Sequence, residues 1–301
     1  MKIGFIGLGY MGHGMAKNLI QKGFDLTVKG NWNRAPVDSL LGMGATEAAT
    51  ASEMAGSVDV LHLCLSNSPQ VEAVILGAGG VLEGARDGLI VVDCSTSDPS
   101  STERLAAALA EKGAILVDAP LGRTPKEAKA GTLDAMVGAS PKVFAKLKPV
   151  IEARAANITH VGPTGAGHRM KLLMNFLAMG YGALYSEAVV LGAKAGISPQ
   201  AFRKVIGSSR LTNGFFDTFM RYVVDRDRDA HKFTIANASK DVRYANQMAV
   251  DAGVMTLMAS AIRNYYAHAE ATGHGQDFVP MLSDLVGELN GIDLAVVVAN
   301  G

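Results

Sequence analysis

Gly7-Leu8-Gly9-Tyr10-Met11-Gly12 spells Gly-x-Gly-x-x-Gly directly after a short apolar run and at the head of a helical pattern. Glycine at these three places permits a tight turn, close approach of the backbone to a phosphate, and close packing of helix on strand. The helix start adds free N–H groups and partial positive charge, which suit an anion. In this strand–turn–helix context the motif predicts a dinucleotide pyrophosphate seated on Gly7, Leu8, Gly9, Tyr10, Met11 and Gly12. At the end of the next strand, an acidic side chain would take a ribose 2′-hydroxyl, whereas basic ones would accept a 2′-phosphate. The chain there reads Thr27-Val28-Lys29-Gly30-Asn31-Trp32-Asn33-Arg34, and no Asp or Glu lies between Leu26 and Val37. Lys29 and Arg34, with Asn31 and Asn33 between them, therefore favour NADP over NAD.

A second polar group lies far along the chain. Lys171 and Asn175 stand four residues apart in an otherwise apolar stretch, so they share one face of a helix. Burying an ammonium group alone is costly, so the pair needs polar company. His168, at the start of that stretch, reads as structural. Cys64 and Cys94 lie in or beside apolar runs without metal-ligand spacing and read as small core residues, and no metal site is expected.

The elements that must hold these groups fall into two halves. In the first, short β-type runs (Ile3–Ile6, Leu26–Val28, Val58–Leu65, Leu89–Asp93, Ile115–Val117, Asp134–Val137) alternate with helical stretches such as Gly12–Lys22 and Ser101–Lys112. Continuous apolar strands alternating with helices imply a parallel, doubly wound sheet covered on both faces. Asp118–Thr132 carries two prolines and two glycines and reads mostly as loop. After Gly162-Pro163-Thr164-Gly165 the pattern becomes helical throughout. A helix over about 166–195 would span roughly 45 Å, enough to link two domains. Ser198–Ser208, Phe215–Arg221, Ala236–Ala252, Met255–Thr272 and Asp277–Leu289 follow as helices, with a weakly packed tail at Asp293–Gly301. The expected division is 1–163, dinucleotide-binding, and 164–301, all-α, for substrate and oligomer contacts; 301 residues suit two such domains.

Composition narrows the function. Lys+Arg and Asp+Glu are both 28, so no positive excess meets the phosphates of a nucleic acid. Hydrophobic residues at 49% and charged ones at 19% exclude disorder. Glycines and Tyr10 interrupt the N-terminal apolar run too early for a signal peptide. Asn175, Glu187 and Lys194 break the longest apolar stretch, Leu172–Ala195, which reads as a buried helix rather than a membrane span. A soluble cytoplasmic protein is expected.

The opening Gly-Leu-Gly-Tyr-Met-Gly-His-Gly-Met-Ala-Lys-Asn-Leu (7–19) resembles the β-hydroxyacid dehydrogenase family, which includes 3-hydroxyisobutyrate dehydrogenases and tartronate semialdehyde reductases. The likeness continues in family order through Leu65-Ser66-Asn67, Asp93-Cys94-Ser95-Thr96-Ser97-Asp98-Pro99, Asp118-Ala119-Pro120, the block Gly165-Ala166-Gly167-His168-Arg169-Met170-Lys171-Leu172-Leu173-Met174-Asn175, and Lys240-Asp241. The resemblance implies an α/β fold: a Rossmann-type doubly wound parallel sheet, a long interdomain helix and an all-α C-terminal domain. It implies NAD(P)-dependent hydride transfer between a short 3-hydroxy acid and its semialdehyde, with Lys171 as general acid/base and Asn175 positioning the substrate or the lysine. By the same resemblance Leu65, Asn67 and Thr96 contact the cofactor, Ser95 lies alongside towards the substrate, and Lys240 reaches the cofactor from the second domain. Members pair through the helical domain, so a homodimer or homotetramer is expected.

One segment departs from the family. Where many members follow Asp-Ala-Pro-Val with Ser-Gly-Gly, this chain has Asp118-Ala119-Pro120-Leu121-Gly122-Arg123-Thr124. A guanidinium offers a planar fork for a carboxylate or sulfonate. Arg123, assisted by Gly122 and Thr124, is therefore expected to clamp a small anionic hydroxy acid or aldehyde. The Gly-Arg-Thr variant also resembles the sulfolactaldehyde reductases of the superfamily, which reduce a short sulfonated aldehyde. Imine reductases share the architecture but generally lack the lysine, as do relatives that serve only as interaction modules, so Lys171 argues against both.

Overall fold

Apolar residues of the first half sort onto the two faces of one sheet. The computed structural model describes residues 1–301. Its strands are β1 (Lys2–Ile6), β2 (Asp25–Lys29), β3 (Thr46–Glu47), β4 (Val60–Leu63), β5 (Ile90–Asp93), β6 (Ile115–Asp118), β7 (Leu121–Gly122), β8 (Leu133–Gly138) and β9 (Ala155–Gly162). The order β3-β2-β1-β4-β5-β6 is parallel throughout, the doubly wound arrangement. Ile3, Phe5, Val60, Ile90 and Val92 enter the core on one face, whereas Ile6, Leu61, Leu63 and Val91 enter the core on the other. Period-two burial on both faces is why these strands read as unbroken apolar runs.

The structure corrects the expected sheet in two ways. It is mixed, because β8 runs antiparallel to β6 and β7 and parallel to β9. It also holds three strands that apolar runs do not mark. β3 and β7 have two residues each, and β9 is largely exposed and carries Asn157, Thr159 and His160. Pairing with neighbours, rather than hydropathy, makes these segments strands. The loop expected over 118–132 contains β7 and a helix, Pro125–Ala130. Thr124 and Glu127 form a capping box at its start, Pro125 enters at its first turn, and Gly131 ends it at φ 72°.

The long helix runs from Ala166 to Lys194. The chain divides into two compact units, Met1–Lys171 and Leu172–Gly301. In the second unit Met179, Ala183, Tyr185, Val189 and Val190 pack with Phe216, Phe219, Val242, Tyr266 and Val279 in one core. Helices Pro199–Gly207, Gly214–Asp225, Ile235–Asp251, Leu257–Ala269 and Leu282–Leu289 build the unit, and no strand follows Gly162. The reading of a buried long helix holds for one face only: Leu173, Leu177, Leu184 and Leu191 are 47, 59, 56 and 70% exposed. The tail also differs from expectation. Leu294–Asn300 is a helix whose cap, Asp293, accepts the Val296 N–H at 3.1 Å, and Leu294 is buried in the core.

Candidate active site

The three glycines of the first turn differ in what surrounds them. A Cβ on Gly7 would lie 2.2 Å from the Cys64 carbonyl oxygen, and one on Gly12 would lie 1.8 Å from that of Gly7. A Cβ on Gly9 would meet nothing within 4 Å. The outer two are demanded by the fold, and the middle one leaves the face of the loop open. That open cradle, before a helix (Gly12–Gln21) with no acidic residue in its first turn, fits a pyrophosphate. Gly9→Ala is therefore expected to fold normally, while an extra methyl against the phosphate costs about 1–3 kcal/mol, weakening the cofactor roughly 5- to 150-fold. Thermal melting and calorimetric titration check the two halves, and an unchanged cofactor Kd would remove the pyrophosphate from this turn.

Leu65 and Asn67 follow β4, the strand beside β1, and Ser95 and Thr96 follow β5, the next strand over, all at the same carboxyl-end edge as the glycine turn. Their backbone is tied down. The Leu65 N–H donates to Ser95 Oγ at 2.9 Å, and the Ser95 N–H donates to Asp93 Oδ1 at 2.9 Å. Asn67 caps the helix Ser68–Leu76, its Oδ1 accepting the Gln70 N–H at 3.0 Å.

Asn31, Trp32, Asn33 and Arg34 are exposed on the turn after β2. The sequence window there held no acid, yet a carboxylate arrives from β3. Glu47, paired in register with Val28, takes Arg34 Nη1 on Oε1 at 2.6 Å and Nη2 on Oε2 at 2.9 Å. Arg34 Nη2 also donates to Asp38 Oδ1 at 3.2 Å. The hydrogen bonds from Arg34 hold the Glu47 carboxyl below its ordinary range. Spacing along the chain could not reveal Glu47, because a two-residue strand brings it to the β2 end.

The lysine-bearing helix is anchored at its first turn. Asp118, fully buried at the end of β6, accepts the Gly165 N–H on Oδ1 at 2.6 Å and the His168 N–H on Oδ2 at 2.7 Å. The His168 ring is fully buried, with Nδ1 2.7 Å from Thr102 Oγ1, and Arg169 pairs with Glu103. A Cβ on Gly167 would lie 2.4 Å from the Met136 carbonyl oxygen, so glycine lets the helix start dock on the strand ends. His168 is thus a structural group, and Lys171 leaves the next turn, partly buried. In the second unit, buried Asn175 donates through Nδ2 to Asp241 Oδ2 at 2.6 Å, and Asp241 Oδ1 lies 3.0 Å from Lys240 Nζ. Asp241 therefore orients Lys240, as its place next to that lysine in the sequence suggests, and also holds Asn175, which spacing did not assign.

Arg123 stands on the turn between Gly122 and Thr124 with φ 77°, in the left-handed region where a side chain costs about 1–2 kcal/mol. Its Nε donates to Asp134 Oδ1 at 2.9 Å, and Asn157 Nδ2 holds the same oxygen at 2.8 Å. Asp134 thus steers the guanidinium from the side and does not use its Nη1–Nη2 edge. Thr124 is committed elsewhere: its N–H and hydroxyl both donate to Glu127 Oε2, and its Oγ1 caps the Lys126 N–H. Gly122 is buried in β7. Burial pushes the Cys94 thiol up to about 11 and the Cys64 thiol higher still, which disfavours the thiolate at both.

Residues 2–162 match the NAD binding domain of 6-phosphogluconate dehydrogenase, and residues 165–285 match the NAD-binding domain of NADP-dependent 3-hydroxyisobutyrate dehydrogenase. The chain is 34% identical to a 2-(hydroxymethyl)glutarate dehydrogenase of Eubacterium barkeri, over 98% of each chain. It is 33% identical to a 3-sulfolactaldehyde reductase of Escherichia coli, over 94% of this chain and 95% of the relative. A solved structure of a 3-hydroxyisobutyrate dehydrogenase from Salmonella typhimurium superposes with a TM-score of 0.82 at 29% identity, over 95% of this chain and 99% of that one. With the glycine turn, the lysine block and both halves of the chain accounted for in family order, the protein belongs to the β-hydroxyacid dehydrogenase family.

Proposed function

We propose that this NAD(P)-dependent oxidoreductase acts on a short 3-hydroxy acid and its semialdehyde, with Lys171 as general acid/base and Arg123 gripping the terminal anion. The nicotinamide, when bound, supplies or accepts the hydride. Lys171 gives a proton to the forming alkoxide in reduction and takes one from the hydroxyl in oxidation. Asn175, held by Asp241, orients the reacting oxygen. The glycine turn, Leu65, Asn67 and Thr96 hold the cofactor, with Lys240 adding a cation and Ser95 bordering the substrate. Arg34, Asn31 and Asn33 favour NADP over NAD. Gly122 and Thr124 shape the Arg123 turn, Thr124 by capping the helix that follows.

The observation that carries this reading is the anchoring of the lysine helix by Asp118 at the carboxyl end of β6, beside β5, whose end leads into Ser95. A second reading, reduction of a sulfonated aldehyde, is favoured by the same Arg123 edge, because a sulfonate presents the same pair of acceptor oxygens. The test is kcat/KM for 3-hydroxyisobutyrate, 2-(hydroxymethyl)glutarate, tartronate semialdehyde, succinate semialdehyde and sulfolactaldehyde, each with both cofactors. The highest value is expected for a carboxylated substrate. A maximum at sulfolactaldehyde selects the second reading, and no turnover across the panel refutes both.

Assembly with a second copy belongs to the same proposal. Leu173, Leu177, Tyr181, Leu184 and Leu191 recur at helical spacing on the exposed face of the long helix, and a mass of one chain by light scattering would exclude it. The reading also places the protein in solution in the cytoplasm. By length and composition the Ala166–Lys194 helix could cross a membrane, but it carries Lys171, Asn175 and Glu187 and seats one face in a protein core; cell fractionation checks this.

A further inference from the structure

The cationic appearance of the β2 end in sequence is cancelled in space. Arg34 and Lys29 there face Glu47 and Asp38, two positive against two negative side chains. Three of the five guanidinium N–H donors of Arg34 are committed to carboxylates. The two that remain, Nε–H and the outer Nη1–H, point to opposite sides of the group, so no two-pronged edge is left for a phosphate. The ion pair is also seated on the turn. A Cβ on Gly30 would lie 2.6 Å from both Arg34 Nη1 and Glu47 Oε1, so only glycine leaves room for the pair here. Glu47 is thus built into the place where a residue at the end of the second strand would otherwise meet the ribose.

We propose that Glu47 sets the choice between a phosphorylated and an unphosphorylated adenosine ribose, because its carboxylate competes with a 2′-phosphate for the Arg34 fork. The proposal rests on reading the β2 end as the ribose end of the cofactor site. NADP(H) binds by displacing the carboxylate from Arg34. NAD(H) leaves the pair intact and gives its 2′-hydroxyl to Glu47. The preference for NADP(H) is thereby kept small in the native chain. Removing one negative charge within a few ångströms of a phosphate dianion changes its binding by about tenfold or more.

Glu47→Gln keeps the shape of the side chain and removes its charge. Two ligands without redox chemistry, 2′,5′-ADP and 5′-AMP, are titrated calorimetrically into the native chain, Glu47→Gln and Arg34→Ala. Steady-state kcat/KM with NADPH and NADH gives an independent readout. Glu47→Gln is expected to bind 2′,5′-ADP about tenfold more tightly, with no gain for 5′-AMP, and to raise the NADPH-to-NADH ratio by the same factor. Unchanged or weaker 2′,5′-ADP binding by Glu47→Gln overturns the proposal, since the carboxylate would then be neutral towards the phosphate or would orient Arg34 for it. Arg34→Ala is expected to lose the discrimination between the two ligands. If it keeps the full native preference for 2′,5′-ADP, the ribose end lies elsewhere, a failure of the underlying reading that appears without reference to Glu47.

Discussion

Lys171→Ala is expected to lower kcat by about 10²- to 10⁴-fold, the range a positioned general acid or base contributes, while leaving cofactor affinity nearly unchanged. The separation follows from where the lysine sits. The glycine turn proposed to hold the pyrophosphate lies between β1 and its following helix, whereas Lys171 stands on the helix that begins at Ala166. The substitution also suits the helix, because alanine is the strongest helix former and the turn before it is fixed by Asp118 and His168. Three measurements separate chemistry from folding: a thermal melt, a calorimetric cofactor titration, and kcat with the best substrate. Near-native turnover would reject Lys171 as the proton-transfer group. Partial rescue of Lys171→Ala by added methylamine would support it, since a small amine restores the missing donor without restoring the side chain.

The second large effect is expected at Arg123. Removing a charge-assisted fork from a substrate anion costs about 2–4 kcal/mol, which is roughly 30- to 1,000-fold in kcat/KM, and the loss should appear mainly in KM. Arg123→Ala and Arg123→Gly should lose it equally. Their stabilities should differ, however, because φ at this position is 77°. Glycine adopts that conformation freely, whereas alanine retains its cost, so Arg123→Gly should be about 1 kcal/mol more stable than Arg123→Ala. Loss of the Arg123–Asp134 pair is common to both and, being exposed, contributes little. An unchanged KM in both variants would place the substrate anion elsewhere. Equal melting temperatures would show that the backbone there relaxes. An arginine held in a costly conformation, on a segment where many members of the family have glycines, is what the proposed anion clamp accounts for.

Much of the fold and of the candidate site is written in local patterns of the chain. Gly7–Gly12 and the lysine block are local signals, because a tight turn, a helix start and a four-residue offset are set by nearest neighbours along the backbone. The long helix and the all-α second half were equally local, resting on periodicity over many residues. The loop assigned over 118–132 shows the limit of that reading. The Thr124-Pro125-Lys126-Glu127 capping signature was present in the sequence, yet the prolines and glycines around it outweighed it. At the C-terminal tail, Leu294 becomes core only because Asp293 caps a final helix and the rest of the second unit supplies a surface to bury it.

What the chain by itself determined is the set of candidate groups for the chemistry: the glycine turn, Lys171 with Asn175, and an arginine where many members of the family have a glycine. What only the tertiary structure decided is who holds each of them. Asp118 fixes the lysine helix from 47 residues away, Asp241 holds Asn175 from 66, and Glu47 neutralises Arg34 from 13. The reason is electrostatic. A charged side chain's chemistry depends on what lies within a few ångströms of it in space, and a strand pairing or a helix docking can bring there a carboxylate that no spacing rule along the sequence contains.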